Sequence, residues 1–203
     1  TDAAADVARF QVVLTARSSH CDPAAPPDLH LFPAGPFPAE GVPGTAVFGI
    51  VTALLAPRAR GSVRIRSADP NEPPSIRTPL LDHGEDVARM VDATLLARTL
   101  SRTPPLAGFV SADELEPGSA ILDDDHEGLA RSIRGRVASY HHPVGTCAMG
   151  PDPDGGAVVD ATGAVYGVEG LWVADASVMP TIPSAGTNMS TILVATKIAE
   201  GLR

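Results

Sequence analysis

The 203-residue chain is poor in several residue types, and each shortage excludes a class of protein. It has only two cysteines, Cys21 and Cys147, too few for a disulfide framework and without the paired spacing of a zinc knuckle. Aromatic residues make up 4% of the chain, which leaves little material for a cage around a quaternary ammonium group. The chain has 24 acidic and 15 basic residues and a net charge of -9, so we expect neither nucleic acid nor an anionic membrane as a partner.

Long apolar runs, metal-ligand clusters and a nucleotide loop are missing as well. The longest apolar run, 46–56, is far shorter than a membrane span, and no stretch has the pattern of a signal peptide, so we expect a cytoplasmic protein. The acidic run at 123–127 is typical of a helix start, and the turn at 151–156 lacks the later bidentate Glu of a calcium loop, so no metal is predicted. No Gly-rich dinucleotide loop stands between a strand and a helix.

The residues that are present predict a loop-rich fold of strands and helices, because 20 prolines and 19 glycines are scattered between apolar segments. Apolar spacing after the acidic pair Glu85 and Asp86 predicts an amphipathic helix. A terminal helix is predicted to follow the loop 180–186. Patterning predicts strands at 10–15, 28–32, 45–55 and 63–67, short strand-like pieces at 157–160 and 163–166, and a fully buried strand at 171–175.

The first of two informative motifs is YHHPVGTCAMG at 140–150. Pro143 restricts His142 to an extended conformation, and Gly145 allows a sharp turn, so the imidazole of His142 is expected to project from a rigid loop. Imidazole titrates near neutral pH and can take the hydroxyl proton of an alcohol. A structural histidine is the alternative. His141 is a weaker candidate, expected to line the pocket or to bond nearby backbone.

The second motif is MPTIPSAGTNMST at 179–191, where a helix is predicted to begin near Thr187. A helix N-terminus has unpaired N–H groups that attract anions, and a flavin reduced by hydride carries negative charge at one edge of its ring. Asn188 could instead serve as a simple N-cap, and both roles are compatible. The pairing of His142 with Asn188 favours a catalytic role for both residues.

The chain closely resembles the C-terminal region of the glucose-methanol-choline family of FAD-dependent oxidoreductases. The resemblance is carried by DLHL at 28–31, PRARGSV at 57–63, SADP at 67–70, PSI at 74–76, HPVGTC at 142–147 and DASVMP at 175–180, in the family's order. It implies an α+β fold, in which an antiparallel sheet with flanking helices forms the substrate domain and a C-terminal strand, loop and helix complete the FAD-binding domain. The implied boundaries are 1–137, an active-site loop at 138–150, and 151–203.

The resemblance also implies roles for individual residues. His142 takes the position of the catalytic histidine, and Asn188 that of the second active-site residue. Backbone at Asn188, Met189 and Ser190 is expected to meet the flavin ring. Asp175 and Ala176 are expected near the ribityl-pyrophosphate portion.

These observations lead to three hypotheses. The first is one chain of a heteromeric enzyme that oxidises an alcohol to a carbonyl with FAD, where a companion chain carries the dinucleotide-binding loop, His142 acts as general base and Asn188 positions the alkoxide. The second is a flavin-containing lyase of the same fold, with no net redox change. The third is a non-catalytic subunit or binding module.

Overall fold

A computed structural model of the protein describes residues 12–38, 46–110 and 113–202. The chain divides into two compact units, the first formed by 1–54 with 83–137 and the second by 55–82 with 138–203. The regular elements in the described ranges are strands β1 (Leu14–Ala16), β2 (Leu29–Pro38), β3 (Ala46–Leu54), β4 (Ser62–Arg64) and β5 (Ser75–Arg77), and helices α1 (Gly84–Ser101), α2 (His126–Arg136) and α3 (Thr187–Gly201). The predicted α+β class is confirmed.

The first unit contains an antiparallel sheet in the order β1-β2-β3. Leu31 of β2 pairs with Leu14 on one side and Thr52 on the other. Leu29 and Leu31 are fully buried and pack with Ala93 of α1, so the helix covers one face of this sheet. The strands predicted at 28–32 and 45–55 are therefore confirmed over their described residues, except that Asp28 and Leu55 lie just outside the observed strands. Of the strand predicted at 10–15, residues 10 and 11 lie outside the described ranges.

The helices of this unit begin where short-range sequence signals place them. The α1 helix follows His83, whose ring accepts the N–H of Glu85, and acidic residues occupy its first turn. Met90 is buried, as its helical spacing predicts. The α2 helix is capped by Asp125, whose Oδ1 accepts the N–H of Gly128 at 2.8 Å. The acidic run therefore starts a helix, as predicted.

A buried polar network ties the sheet to α1. Asp28 accepts the N–H of Ser18 at 2.8 Å, its hydroxyl at 2.7 Å, and Nε of Arg89 at 2.8 Å. Arg89 also reaches Asp86 at 3.2 Å. Burial opposes ionisation of Asp28, but the hydrogen bonds from Ser18 and Arg89 outweigh it and lower the pKa of Asp28 below 3.8. The network keeps this charge ionised inside the unit.

The second unit is held by a small apolar core beneath α3. Val159, Val178 and Ile198 are buried together. The β4-β5 hairpin lies in the same unit. Its strand β4 starts one residue before the strand predicted at 63–67 and is shorter than that prediction. At 157–160 and 163–166 the structure has isolated bridges, Met149 with Val159 and Val159 with Val165.

The buried strand predicted at 171–175 was wrong. Trp172 forms one isolated bridge to Ala164, and Leu171 and Trp172 remain 48% and 42% exposed. A strand needs continuous partners for its backbone groups, and within the described part of this unit the segment has a single bridge. In the same described ranges, no helix is both long and apolar enough to cross a membrane.

Candidate active site

The first motif places His142 on irregular backbone in the second unit. The hydroxyl of Ser139 accepts the N–H of His141 at 3.0 Å, and His141 has a left-handed backbone with φ of 61°. The ring of Tyr140 contacts the imidazole of His142, with centroids 4.7 Å apart and planes tilted by 58°. His142 is half-buried and His141 is exposed. The imidazole is thus supported on one side and partly accessible to solvent.

Backbone hydrogen bonds join the end of this motif to the residues just before the second one. The N–H groups of Cys147 and Met149 donate to the carbonyls of Ser177 and Val178, at 3.0 and 2.8 Å. Gly145 makes the turn before this pairing with φ of 82°, a conformation that favours glycine. A Cβ at this position would lie 3.4 Å from a carbonyl oxygen of the second motif. Two segments separated by about thirty positions therefore run side by side.

Asp175 organises the short 3-10 turn Ala176–Val178 that precedes the second motif's loop. Its Oδ1 accepts the N–H of Ser177 at 2.8 Å and the hydroxyl of Ser177 at 2.5 Å. These two hydrogen bonds lower the pKa of Asp175, most of all the one from the hydroxyl. Asp175 is exposed and Ala176 is half-buried. The structure thus gives Asp175 a capping role, and its contact with a cofactor stays a prediction.

The α3 helix begins with an N-terminus that no side chain caps. Gly186 is the N-cap, and no acidic residue stands in the first turn. Asn188 is the second residue of the helix, so the alternative that Asn188 is the N-cap was wrong. Asn188 and Met189 are exposed, Met189 by 72%, and Ser190 is half-buried. The first turn therefore presents free backbone donors beside an accessible carboxamide.

The imidazole of His142 lies near the start of the helix that carries Asn188. A Cβ built on Gly186 would lie 3.9 Å from Cε1 of His142. Gly186 immediately precedes α3 and stands two positions before Asn188. The imidazole therefore lies against the N-terminal end of the helix that carries Asn188. His141 is the chain neighbour of this imidazole, and its role toward substrate stays a prediction.

These residues fit a flavin. Uncapped N–H groups at the start of α3, with no acid in the first turn, suit the anionic edge that a reduced isoalloxazine develops. Met189 offers an exposed apolar surface next to them. Across 12–38, 46–110 and 113–202, no three His, Cys, Asp or Glu residues lie close enough together to hold a metal ion.

Two residues of this site did not emerge from sequence reasoning. Tyr140 contacts the imidazole of His142, and Gly186 lies close to that imidazole at the helix end. An aromatic residue two positions before a candidate base, and a glycine directly before a predicted helix, were the available signals. Neither signal identifies its spatial partner without the fold.

An imidazole beside the uncapped end of a helix is chemically able to take up a proton next to a developing negative charge. The family model for the GMC oxidoreductases matches residues 57–195 of this chain. The chain belongs to the GMC oxidoreductase family. The resemblance drawn from the motifs is thereby confirmed.

Similar proteins include oxidases with different substrates in their names. The 5-(hydroxymethyl)furfural oxidase of Methylovorus sp. is 38% identical over 91% of this chain and 35% of its own length. Pyridoxine 4-oxidase from Mesorbium loti superposes with a TM-score of 0.81 at 27% identity, over 95% of this chain and 38% of that one. Formate oxidase from Aspergillus oryzae superposes with a TM-score of 0.77 at 26% identity, over 88% of this chain and 32% of that one. That structure concerns the effect of a mutation on the modification of FAD in the oxidase.

The chain spans about a third of the length of these relatives. Membership of the family confirms FAD as the predicted cofactor at the family level, since a relative described with that cofactor shares this fold. The region matched contains both motifs, 140–150 and 179–191.

Proposed function

We propose that this chain supplies the catalytic residues of an FAD-dependent oxidoreductase that oxidises an alcohol to a carbonyl. The carrying observation is the position of the His142 imidazole, 3.9 Å from the Cβ site of Gly186 at the start of α3. Family membership and a relative named for a hydroxymethyl compound support the same conclusion. In this proposal, 1–137 contribute to the substrate domain, 138–150 form the active-site loop and 151–203 complete the FAD-binding domain.

His142 is proposed as the general base. One ring nitrogen takes the hydroxyl proton of the alcohol while the carbinol carbon is oxidised. Asn188 is exposed at the same helix end, and its side-chain amide can donate a hydrogen bond to the alkoxide oxygen that results. His141, exposed beside the base, is proposed to line the substrate pocket.

Backbone N–H groups at Asn188, Met189 and Ser190 are proposed to hold the flavin ring, and Asp175 with Ala176 to lie near its ribityl-pyrophosphate chain. When bound, FAD supplies the acceptor for a hydride from the substrate. The α3 N-terminus contributes partial positive charge worth about 0.3–1 kcal/mol to a nearby anion when exposed, and up to about 2 kcal/mol when partly buried. Aimed at the flavin, this charge would favour the reduced state.

The rest of the flavin site is proposed to come from residues outside these 203. A companion chain carrying the nucleotide loop was the sequence-based hypothesis, and the comparisons give it no support. The relatives instead hold this region as about a third of one longer polypeptide. Mass determination of the purified yellow protein distinguishes a single long chain from a complex of two.

The test replaces His142 with Ala in the complete, flavin-loaded protein. Loss of a positioned acid or base typically slows a reaction by about 10²- to 10⁴-fold, so flavin reduction by a good alcohol under anaerobic conditions should slow by that factor. His126→Ala is the matched control, because His126 is exposed at the start of α2 in the other unit. Reduction at the unchanged rate in the His142→Ala protein would contradict the proposal.

The same experiment separates the two alternatives. A lyase of this fold converts its substrate while the flavin absorbance stays that of the oxidised form. A non-catalytic subunit shows no conversion with any alcohol even when the complete protein is yellow. Bleaching of the flavin together with carbonyl formation supports the oxidoreductase.

A further inference from the structure

The backbone around His141 brings two rings together. His141 is one of three non-glycine residues with positive φ in the described part of the chain, at 61°. Such a conformation is unfavourable for a residue with a Cβ. The hydroxyl of Ser139 accepts the His141 N–H at 3.0 Å and so supports the turn. Strained backbone of this kind persists where the surrounding structure holds it, and it is often found at functional sites.

The turn at His141 sets the distance between its two neighbours. The rings of Tyr140 and His142 have centroids 4.7 Å apart and planes at 58°, within the range where tilted aromatic pairs attract each other. Tyr140 is half-buried, and this burial raises the pKa of its phenol, so the ring stays neutral at physiological pH. A neutral, partly buried ring is a suitable support for a neighbouring imidazole.

The imidazole of His142 therefore has neighbours at two points. The Tyr140 ring lies against it, and the Gly186 backbone at the start of α3 lies near its Cε1, which is 3.9 Å from where a Cβ on Gly186 would stand. Gly186 has no side chain that could hold the ring. Of these two neighbours, only Tyr140 has a side chain that can fix the orientation of the imidazole.

We propose that Tyr140 is a positioning residue that holds the His142 imidazole against the N-terminal end of α3 through its ring. This inference rests on the proposed function, in which His142 is the base. Displacement of a catalytic group by about 1 Å can cost as much as 10²-fold in rate. Tyr140 acts through His142 and is not itself proposed to contact the reacting atoms.

The test compares ring and volume at position 140 in the complete, flavin-loaded enzyme. Tyr140→Phe keeps the ring and should retain kcat within about twofold. Tyr140→Leu removes the ring and should lower kcat about tenfold with KM and flavin content nearly unchanged, because positioning is lost while the pocket remains. Tyr166→Leu is the matched control: Tyr166 bonds the Gly150 carbonyl at 2.9 Å, so its loss should lower thermal stability without lowering kcat.

Three results would overturn the proposal. One is an unchanged kcat in Tyr140→Leu while His142→Ala is slow, which leaves the proposed function intact. Another is an equal loss in Tyr140→Phe and Tyr140→Leu, since the ring would then not be the active feature. The third is a rise in KM and a loss of flavin that account for the whole rate decrease. If Leu prevents folding, Tyr140→Met, flexible and without a flat ring, replaces it with the same expected and opposing results.

If His142→Ala itself reduces flavin at the normal rate, the proposed function fails first. The kcat values of Tyr140→Phe and Tyr140→Leu are then compared on their own, and their thermal stability is measured separately. In that case a low kcat in Tyr140→Leu contradicts positioning through His142.

Discussion

Gly163 provides the sharpest prediction about how α3 is held. It has φ of 81°, and a Cβ there would lie 2.9 Å from the carbonyl oxygen of Val173 and 2.9 Å from Cδ1 of Ile198. The backbone cannot easily move away, because the Val173 N–H donates to the Gly163 carbonyl at 2.9 Å. Ile198 belongs to α3 and is 5% exposed in the core of its unit. Gly163→Ala should therefore push directly on the helix that carries Asn188.

The loss of stability expected for Gly163→Ala has a backbone part and a steric part. Comparison with Gly156→Ala, which has only the backbone part, separates the two. A left-handed backbone costs a residue with a Cβ about 1–2 kcal/mol. Overpacking in a well-packed core costs a further 1–3 kcal/mol or so. We expect Gly163→Ala to lower the free energy of unfolding by about 2–5 kcal/mol. Gly156 has φ of 94°, and a Cβ there would have no atom within 4 Å, so Gly156→Ala should cost only about 1–2 kcal/mol.

The assay is urea-induced unfolding of the complete protein, followed by flavin fluorescence and by circular dichroism. Gly163→Ala should unfold at clearly lower urea than Gly156→Ala and should also lose flavin earlier, since α3 is displaced. Equal midpoints for the two variants would refute the steric part of the reasoning. An unshifted midpoint for both would refute the backbone part as well.

Two predictions concern the first unit. Asp28→Asn removes the Asp28 carboxylate from buried Arg89, which keeps its contact with Asp86, and should cost about 1.5–3 kcal/mol near neutral pH by urea unfolding. The pKa of Asp28 is lowered below 3.8 in the folded protein, so its ionisation stabilises the fold above pH 3.8 and this contribution is lost as the pH falls through the lowered pKa. The Asp28→Asn protein should therefore lose less stability on acidification than the wild type. A parallel loss of stability in the two proteins would contradict this. Arg98, 5% exposed, contacts Asp123 at 2.7 Å, whereas Arg102 on the same carboxylate is 61% exposed. Arg98→Leu should destabilise by about 2 kcal/mol and Arg102→Leu by under about 1 kcal/mol, and equal effects would contradict the burial argument.

Several elements could be predicted because their signals are local. Acidic residues and apolar spacing over one or two turns predicted α1, and the acidic run at 123–127 predicted a helix start, which the structure places after Asp125. The strand predicted at 171–175 failed for the opposite reason. Its apolar residues resemble a buried strand, but whether Trp172 is paired and covered depends on segments elsewhere in the chain.

The candidate site shows the same division. Residue types and motif order identified the family and predicted His142 and Asn188 as site residues, because an imidazole followed by a proline and a turn, and a polar helix start, carry their chemistry in a few adjacent residues. The structure makes Gly186 the N-cap of α3, whereas the sequence pattern left open whether Asn188 has that role.

The amino-acid sequence alone determined which groups are available here: an imidazole at 142, a carboxamide at 188, and flanking backbone with the freedom to turn. Only the tertiary structure decided that His142 lies near the start of the helix that carries Asn188. This placement accompanies hydrogen bonds between the segments at 147–149 and 177–178, the approach of the His142 ring to Gly186, and the contact of that ring with Tyr140. Such contacts join positions distant in the chain, and the energy of each depends on the packing around it, so no local pattern specifies them.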